Sequence, residues 1–288
     1  MKKGVLSVLL AAACWGMLPI IAGFLYREEI TPLQTAAIRS YMAAGIFLLL
    51  SFRSWKNLKT IRARHLPFYA AYGFLAITSL YIVYLTAVKY VSAAIACTLM
   101  YTAPAFVILF SRLLYKEPIT RQKLIGICVT FFGCALVVRI YDVQSLAVNQ
   151  TGILLGLLAG LCYSSLTLFG KKGITLYSSD INSLLPALFG AFFMLFIMPP
   201  WEIPFPSAKI TGLYALLGLI GSVLPYIFYM KGLQNGLDGG TASIIATFEP
   251  VAATLFGVLL LGDSLDIIQA VGIFLVVLGA AFPILQKK

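Results

Sequence analysis

Ser92–Ala135 reads SAAIACTLMYTAPAFVILFSRLLYKEPITRQKLIGICVTFFGCA, and 146 residues further on Asp238–Ala281 reads DGGTASIIATFEPVAATLFGVLLLGDSLDIIQAVGIFLVVLGAA. The two stretches align without a gap, and ten of the 44 positions are identical. Apolar composition inflates such a count, so the weight lies on Pro104/Pro250, Gly126/Gly272 and Gly133/Gly279. The acidic pair Glu117/Asp263 adds to it, because it falls between helices in both copies. A fainter echo sets Cys14-Trp15-Gly16 over Cys162-Tyr163-Ser164 at a spacing of 148. A repeat of this length fixes architecture, and it divides the chain into two halves, 1–146 and 147–288.

The composition says what those halves are made of. Apolar residues are 61% of the 288, charged residues 11%, and the mean hydropathy is +0.97, whereas soluble domains carry roughly 45–50% apolar and about 25% charged residues. Helices apolar all round are stable in lipid, so the chain reads as an all-α integral membrane protein. A transmembrane helix needs about 20 apolar residues. Ten such spans are expected, at Gly4–Leu25, Pro32–Phe52, Leu66–Val88, Val91–Ser111, Leu124–Val138, Gly152–Gly170, Ile181–Pro200, Ile210–Met230, Gly239–Leu261 and Ile267–Leu285. Met-Lys-Lys followed by an apolar run and Ala-Ala-Ala-Cys at Ala11–Cys14 has the outline of a signal peptide. The apolar run continues past Cys14 without a polar segment, which argues for a span instead.

Positive charge in short loops orients the spans. With the amino terminus inside, the inner segments hold sixteen basic residues, the outer ones only Arg27, Lys89, Arg139 and Lys209, and Arg39 lies within the second span. Both termini are therefore expected in the cytoplasm of a multi-pass cell-membrane protein. The net charge of +11 then reads as a rim facing anionic lipid head groups, not as a nucleic-acid surface. The five cysteines sit in apolar stretches and read as small buried residues. His65, the one histidine, offers no metal site, and no cofactor is expected.

Each half holds five spans, an odd number, so the second copy enters the membrane in the opposite direction to the first. Inverted repeats are a recurring construction of secondary transporters, with the substrate site near the midplane between the halves. The chain resembles the ten-helix drug/metabolite transporter superfamily, specifically its EamA-type exporters. The residues carrying the resemblance are Trp15-Gly16, Arg39, Ala-Val-Lys-Tyr-Val-Ser-Ala-Ala from Ala87 to Ala94, Glu249-Pro250, and Leu259-Leu260-Leu261-Gly262-Asp263. Asp263 stands where members commonly show Glu, which keeps the charge. The resemblance implies a permease moving small metabolites, often outward and without ATP. It leaves the substrate open among amino acids, amines, nucleosides and drugs.

Ionisable groups within spans are costly, roughly 2.5–3.5 kcal/mol at a helix centre on insertion scales, so Glu249 and Arg39 each need a reason. Glu249 lies mid-span and reads either as a carboxyl that binds a cationic group or carries a coupling proton, or as a paired carboxyl holding helices together. Arg39 lies about seven residues inside its span, roughly 10 Å at 1.5 Å per residue, and reads as structural, snorkelling outward or bonding a carbonyl. Pro250 frees the carbonyl of Ala246 and Pro104 that of Met100, so each half contributes one broken helix, the expected pointer to a midplane site.

Trp15, Tyr81, Tyr101, Tyr163, Tyr226 and Tyr229 lie deep enough in their spans for a phenol or indole NH to need a partner. Tyr101 has Thr247 as its repeat partner, close to Glu249. The candidate substrate-binding set is Trp15, Thr98, Tyr101, Tyr163, Tyr226, Thr247 and Glu249, with Pro104, Pro250 and Arg39 as structural or hinge residues. Small hydroxyl residues are equally at home joining transmembrane helices. Gly126 with Gly133, and Gly272 with Gly279, share a helix face and read as a static packing or dimer face.

No span carries a hydrolase or metal constellation, which argues against an enzyme. The leading expectation is a secondary active transporter of an amino acid or related amine, exporting by alternating access, with proton coupling through Glu249 as one reading. The alternative is a passive facilitator or channel. Expected partners are the small-molecule substrate, the bilayer and coupling protons, for a monomer or homodimer.

Overall fold

A computed structural model describes residues 2–51, 59–91, 93–141, 149–205 and 207–285. Phe52, Arg53, Lys56, Ser92, Lys287, Lys288 and the expected division between residues 146 and 147 lie outside the described residues. The chain is all-helical, with no strand among the described residues. Eight segments are long and apolar enough to cross a membrane: α1 (Lys2–Arg27), α2 (Pro32–Ser51), α3 (Ala63–Ala87), α4 (Ala93–Tyr115), α6 (Gln150–Leu176), α8 (Ala208–Gln234), α9 (Gly239–Leu261) and α10 (Ile267–Leu285). The fifth and seventh expected spans form shorter helices, α5 (Arg121–Val137), of 17 residues, and α7 (Ser179–Met194), of 16. The seventh ends six residues before the expected Pro200; hydrogen-bonded turns carry the chain on to Met198, and Pro199 and Pro200 then keep the helix from resuming.

Prolines also set the internal breaks. α1 is interrupted at Met17, with Pro19 in the first turn of its second piece. α4 is interrupted at Tyr101 and Thr102, ahead of Pro104, and α9 at Thr247 and Phe248, ahead of Pro250. In each, the missing amide and the ring's clash with the carbonyl one turn earlier stop the ladder, so the two expected broken helices are present at matched positions. Wide π turns interrupt α3 at Phe74–Ser79 and α8 at Leu219–Val223, the second of them just ahead of Pro225. Left-handed caps end α4 at Lys116 (φ 57°) and mark Gly262 (φ 75°) after α9, again 146 residues apart.

Packing repeats with the halves exchanged: α1 lies against α8 and α9 of the second half, and α6 lies against α3 and α4 of the first. α2 packs on α7, and α5 on α10. The last pair explains its glycines. A methyl group on Gly133 would meet the amide of Val276 at 2.8 Å and the carbonyl of Gly272 at 2.9 Å, and one on Gly272 would meet the carbonyl of Gly133 at 2.8 Å. The shared glycine face is thus filled within the chain.

Gly272→Ala is expected to destabilise by about 1–3 kcal/mol, the usual cost of overpacking, read as thermal unfolding in detergent. Gly45→Ala, where nothing lies within reach of an added methyl, is expected to be neutral or to gain about 0.5–1 kcal/mol. Equal melting temperatures for the two variants would contradict this packing.

Candidate functional site

The three broken helices converge on one cavity of about 320 Å³, within the roughly 300–1,000 Å³ of small-molecule sites. Trp15 of α1, Arg39 of α2, Tyr81 and Tyr84 of α3, Cys97 and Tyr101 of α4, Tyr163 of α6, Tyr226 of α8, and Glu249 and Thr254 of α9 all line it. Trp15 ends the first piece of α1, and its ring stands among tyrosines of the second half, with centroids 6.3 Å from Tyr163, 6.2 Å from Tyr226 and 5.7 Å from Tyr229. Tyr229 in turn shares a 2.6 Å hydrogen bond with Thr167.

Two groups of opposite charge face this aromatic space. Glu249 begins the second piece of α9 because Pro250 restarts the helix there, and its Oε2 accepts a 3.1 Å hydrogen bond from the Tyr163 hydroxyl. Arg39 does not reach outward. Its Nε donates to Ser222 Oγ at 2.9 Å, and its guanidinium lies 4.9 Å from the centre of the Tyr81 ring, a cation-π distance.

Along α4 and α5 the cavity lies toward one end of the bundle, and along α1, α6 and α9 it lies at the middle of the helix. It uses residues 249–254 of α9, 97–101 of α4 and Val137–Val138 at the end of α5. Thr254 also lines a second depression of about 380 Å³ with Arg139, Asp263 and Gln269. Toward the opposite end of the same helices the space narrows. Below the breaks, a void of only about 20 Å³ remains between Tyr101, Pro104, Tyr163 and Thr247, room for a single water.

Beyond it stands a network of four charges. Lys123 Nζ lies 2.8 Å from Asp238 Oδ1, Lys171 pairs with Glu117, and Glu117 also accepts the Gly239 amide at 3.2 Å. Glu117 and Lys123 are buried, at 8% and 5% exposed, while Lys171 and Asp238 keep a quarter and a fifth of their side chains exposed, and the network joins the first half (Glu117, Lys123) to the second (Lys171, Asp238). Burial opposes ionisation of Asp238, but the Lys123 ammonium and the Thr241 donors outweigh it and hold the carboxyl below its usual range. At the cavity end the counterpart pair is open: Arg139 and Asp266 lie 3.4 Å apart and are more than a third exposed.

A family model for EamA-like transporters matches residues 2–139 and again 150–285. The chain belongs to the EamA-like transporter family. It is similar along nearly its whole length to uncharacterized transporters of Clostridium kluyveri (25% identity, covering 97% of this chain and 92% of the other) and Helicobacter pylori (28%, covering 99% and 96%). An uncharacterized inner membrane transporter of Salmonella typhimurium is 24% identical over 96% of this chain and 93% of its own. A crystal structure superposes with a TM-score of 0.84 at 15% identity, covering 99% of this chain and 97% of the other, which supports the fold. This EamA-like transporter is a multi-pass membrane protein.

Of the residues singled out in the sequence of the EamA-like transporter, Trp15, Tyr101, Tyr163, Tyr226, Glu249, Pro250 and Arg39 share the cavity. Thr247 and Pro104 line the small void below it. Thr98 lies outside both: it is buried, and its hydroxyl donates to the Ala94 carbonyl at 2.9 Å. Its neighbour Cys97 lines the cavity instead, half-buried, and Cys128 is exposed, so the cysteines are not uniformly buried. Tyr84, one helical turn beyond Tyr81, and Thr254 also face the cavity. The three-residue spacing puts Tyr84 on the same helix face as Tyr81, a signal that depth alone does not use.

Proposed function

We propose that this transporter is a secondary active exporter of a small metabolite, an amino acid or related amine, working by alternating access. In this reading all ten helices cross the cell membrane as two inverted five-helix halves with both termini cytoplasmic. The basic residues concentrated on the amino-terminal side support that orientation, and the matched breaks ahead of Pro104 and Pro250 support a site between the halves. The single observation that carries the proposal is a cavity holding one membrane-embedded carboxylate, with only a water-sized void and a charge network joining the two halves on its far side.

Trp15, Tyr101, Tyr163 and Tyr226 form the walls for substrate. Glu249 supplies the negative charge, and the Tyr163 hydroxyl bonded to its Oε2 fixes where the carboxylate stands in the cavity. A substrate ammonium and a proton compete for the same carboxylate, so binding of one releases the other. That competition couples substrate movement to proton movement in the opposite direction with no ATP.

The test is the purified protein in liposomes under a pH gradient, offered amino acids, amines, nucleosides and aromatic metabolites, with internal pH recorded. Proton movement that depends on one chemical class is the expected result. Labelled substrate that equilibrates without proton movement would replace this reading with a passive facilitator.

A further inference from the structure

We propose that Arg39 is the anion-recognition residue of the cavity, taking the carboxylate of a zwitterionic substrate whose ammonium lies toward Glu249. The proposal rests on the reading that the Glu249 cavity holds the substrate. It assigns to Arg39 a part in selecting the substrate, where sequence depth alone gave it a structural one.

The geometry of Arg39 is that of a held, unspent donor. A guanidinium has five N–H groups in a planar fork. The Nε–H goes to Ser222 Oγ, and the guanidinium carbon stands over the Tyr81 ring at 4.9 Å from its centre. The two terminal nitrogens have no hydrogen-bond partner and no acidic partner among the described residues. Those nitrogens are the pair that meets a carboxylate bidentately. A purely structural arginine at this depth is expected to spend its donors on backbone carbonyls or a carboxylate.

The support for Arg39 is also built rather than incidental. Ser222 sits in the π turn Leu219–Val223, a local widening of the kind often found at functional sites.

Glu249 is in the complementary condition. Oε2 is bonded to Tyr163, Oε1 has no partner among the described residues, and no cation lies within ion-pair distance. Two opposite charges thus line one cavity without pairing with each other, although each is taken largely out of water. An amine satisfies Glu249 and leaves Arg39 unpaired. A simple acid does the reverse. A zwitterion satisfies both, and a site built to hydrogen-bond a group discriminates strongly against the analogue lacking it. The aromatic walls then receive the ammonium face and the substrate's side chain.

The test is binding to purified protein, read as ligand-induced rise in melting temperature, for a panel of amino acids each paired with its decarboxylated amine. The wild type is expected to bind at least one amino acid about tenfold or more tighter than its amine, a difference of about 1.4 kcal/mol. Arg39→Gln is expected to abolish that preference while leaving amine affinity unchanged, and Arg39→Lys to restore part of it. Ser222→Ala, which removes only the positioning bond, guards against a folding defect and is expected to weaken the amino acid alone. If Arg39→Gln weakens both partners alike, or neither, the proposal is overturned while the cavity reading stands. If Glu249→Gln leaves binding of every ligand intact, or no panel member binds, the cavity reading itself fails and the proposal falls with it.

Discussion

Glu249→Gln is expected to abolish accumulation of substrate against its gradient, while exchange of labelled for unlabelled substrate continues at the higher substrate concentrations that its weakened binding requires. Glutamine has nearly the same shape and keeps an oxygen that can accept from the Tyr163 hydroxyl now bonded to Glu249 at 3.1 Å, so the walls of the cavity should survive. What the substitution removes is the group that a proton and a cationic substrate contest. With one proton exchanged per substrate, a pH difference of one unit drives a concentration ratio of about tenfold, equivalent to about 1.4 kcal/mol. In the variant that ratio is expected to fall to equality. Liposomes loaded with buffer of known pH measure both quantities on one preparation. A variant that still concentrates substrate would remove Glu249 from the coupling step.

Glu117→Gln is expected to loosen the sealed end. Lys171 and the Gly239 amide both converge on this carboxylate, and withdrawing its charge leaves the Lys171 ammonium without its partner beside the Lys123–Asp238 pair. Hydrogen bonds to charged groups are worth about 1.5–3 kcal/mol, so the balance between closed and open forms of this end should move by tenfold or more. Ser111 is a suitable reporter, being 1% exposed with no hydrogen-bond partner for its hydroxyl. In a background without native cysteines, alkylation of the thiol introduced by Ser111→Cys is expected to rise about tenfold when Glu117→Gln is added. Exchanging the pair, Glu117→Lys with Lys171→Glu, should slow labelling again in part, because the ion pair returns while the Gly239 amide stays without its acceptor. Labelling that is indifferent to all three changes would show that other contacts seal this end.

Much of the fold was legible because lipid imposes strong rules on sequence. Apolar length gave the position of α1 through α10, and Pro104 and Pro250 gave the two matched breaks, since a missing amide leaves its mark whatever the surroundings. Helix ends were less legible. α6 runs on to Leu176, past the expected Gly170, with Lys171 in its last turns drawn inward by Glu117.

The site was legible where chemistry is rare and illegible where it depends on rotation. An intramembrane carboxyl next to a proline marked Glu249 from composition alone. Thr98 and Cys97 are adjacent, about 100° apart around a helix of 3.6 residues per turn, and nothing local says which faces inward. The more polar side chain was the natural choice, and it turned out to bond its own helix. Arg39 looked structural because its depth allowed snorkelling. Its inward aim comes from Ser222, 183 residues away in the sequence, and from a π turn that no single-sequence pattern announces. The four-charge network was invisible for the same reason: Lys123 and Lys171 entered the reading only as orientation signals, and their partners come from opposite halves.

Alternating access exposes one cavity to the two sides in turn. The most direct measurement is the pair of alkylation rates, at the native Cys97 in the cavity and at the thiol of Ser111→Cys beyond the void, each as the only cysteine present, with and without Glu117→Gln. Alternating access predicts reciprocal change: Cys97 labels fast and the Ser111→Cys thiol slowly in the starting protein, and Glu117→Gln slows the first as it speeds the second. A rise at the inner thiol with Cys97 equally reactive would mean both ends open at once, which is a channel and contradicts the account.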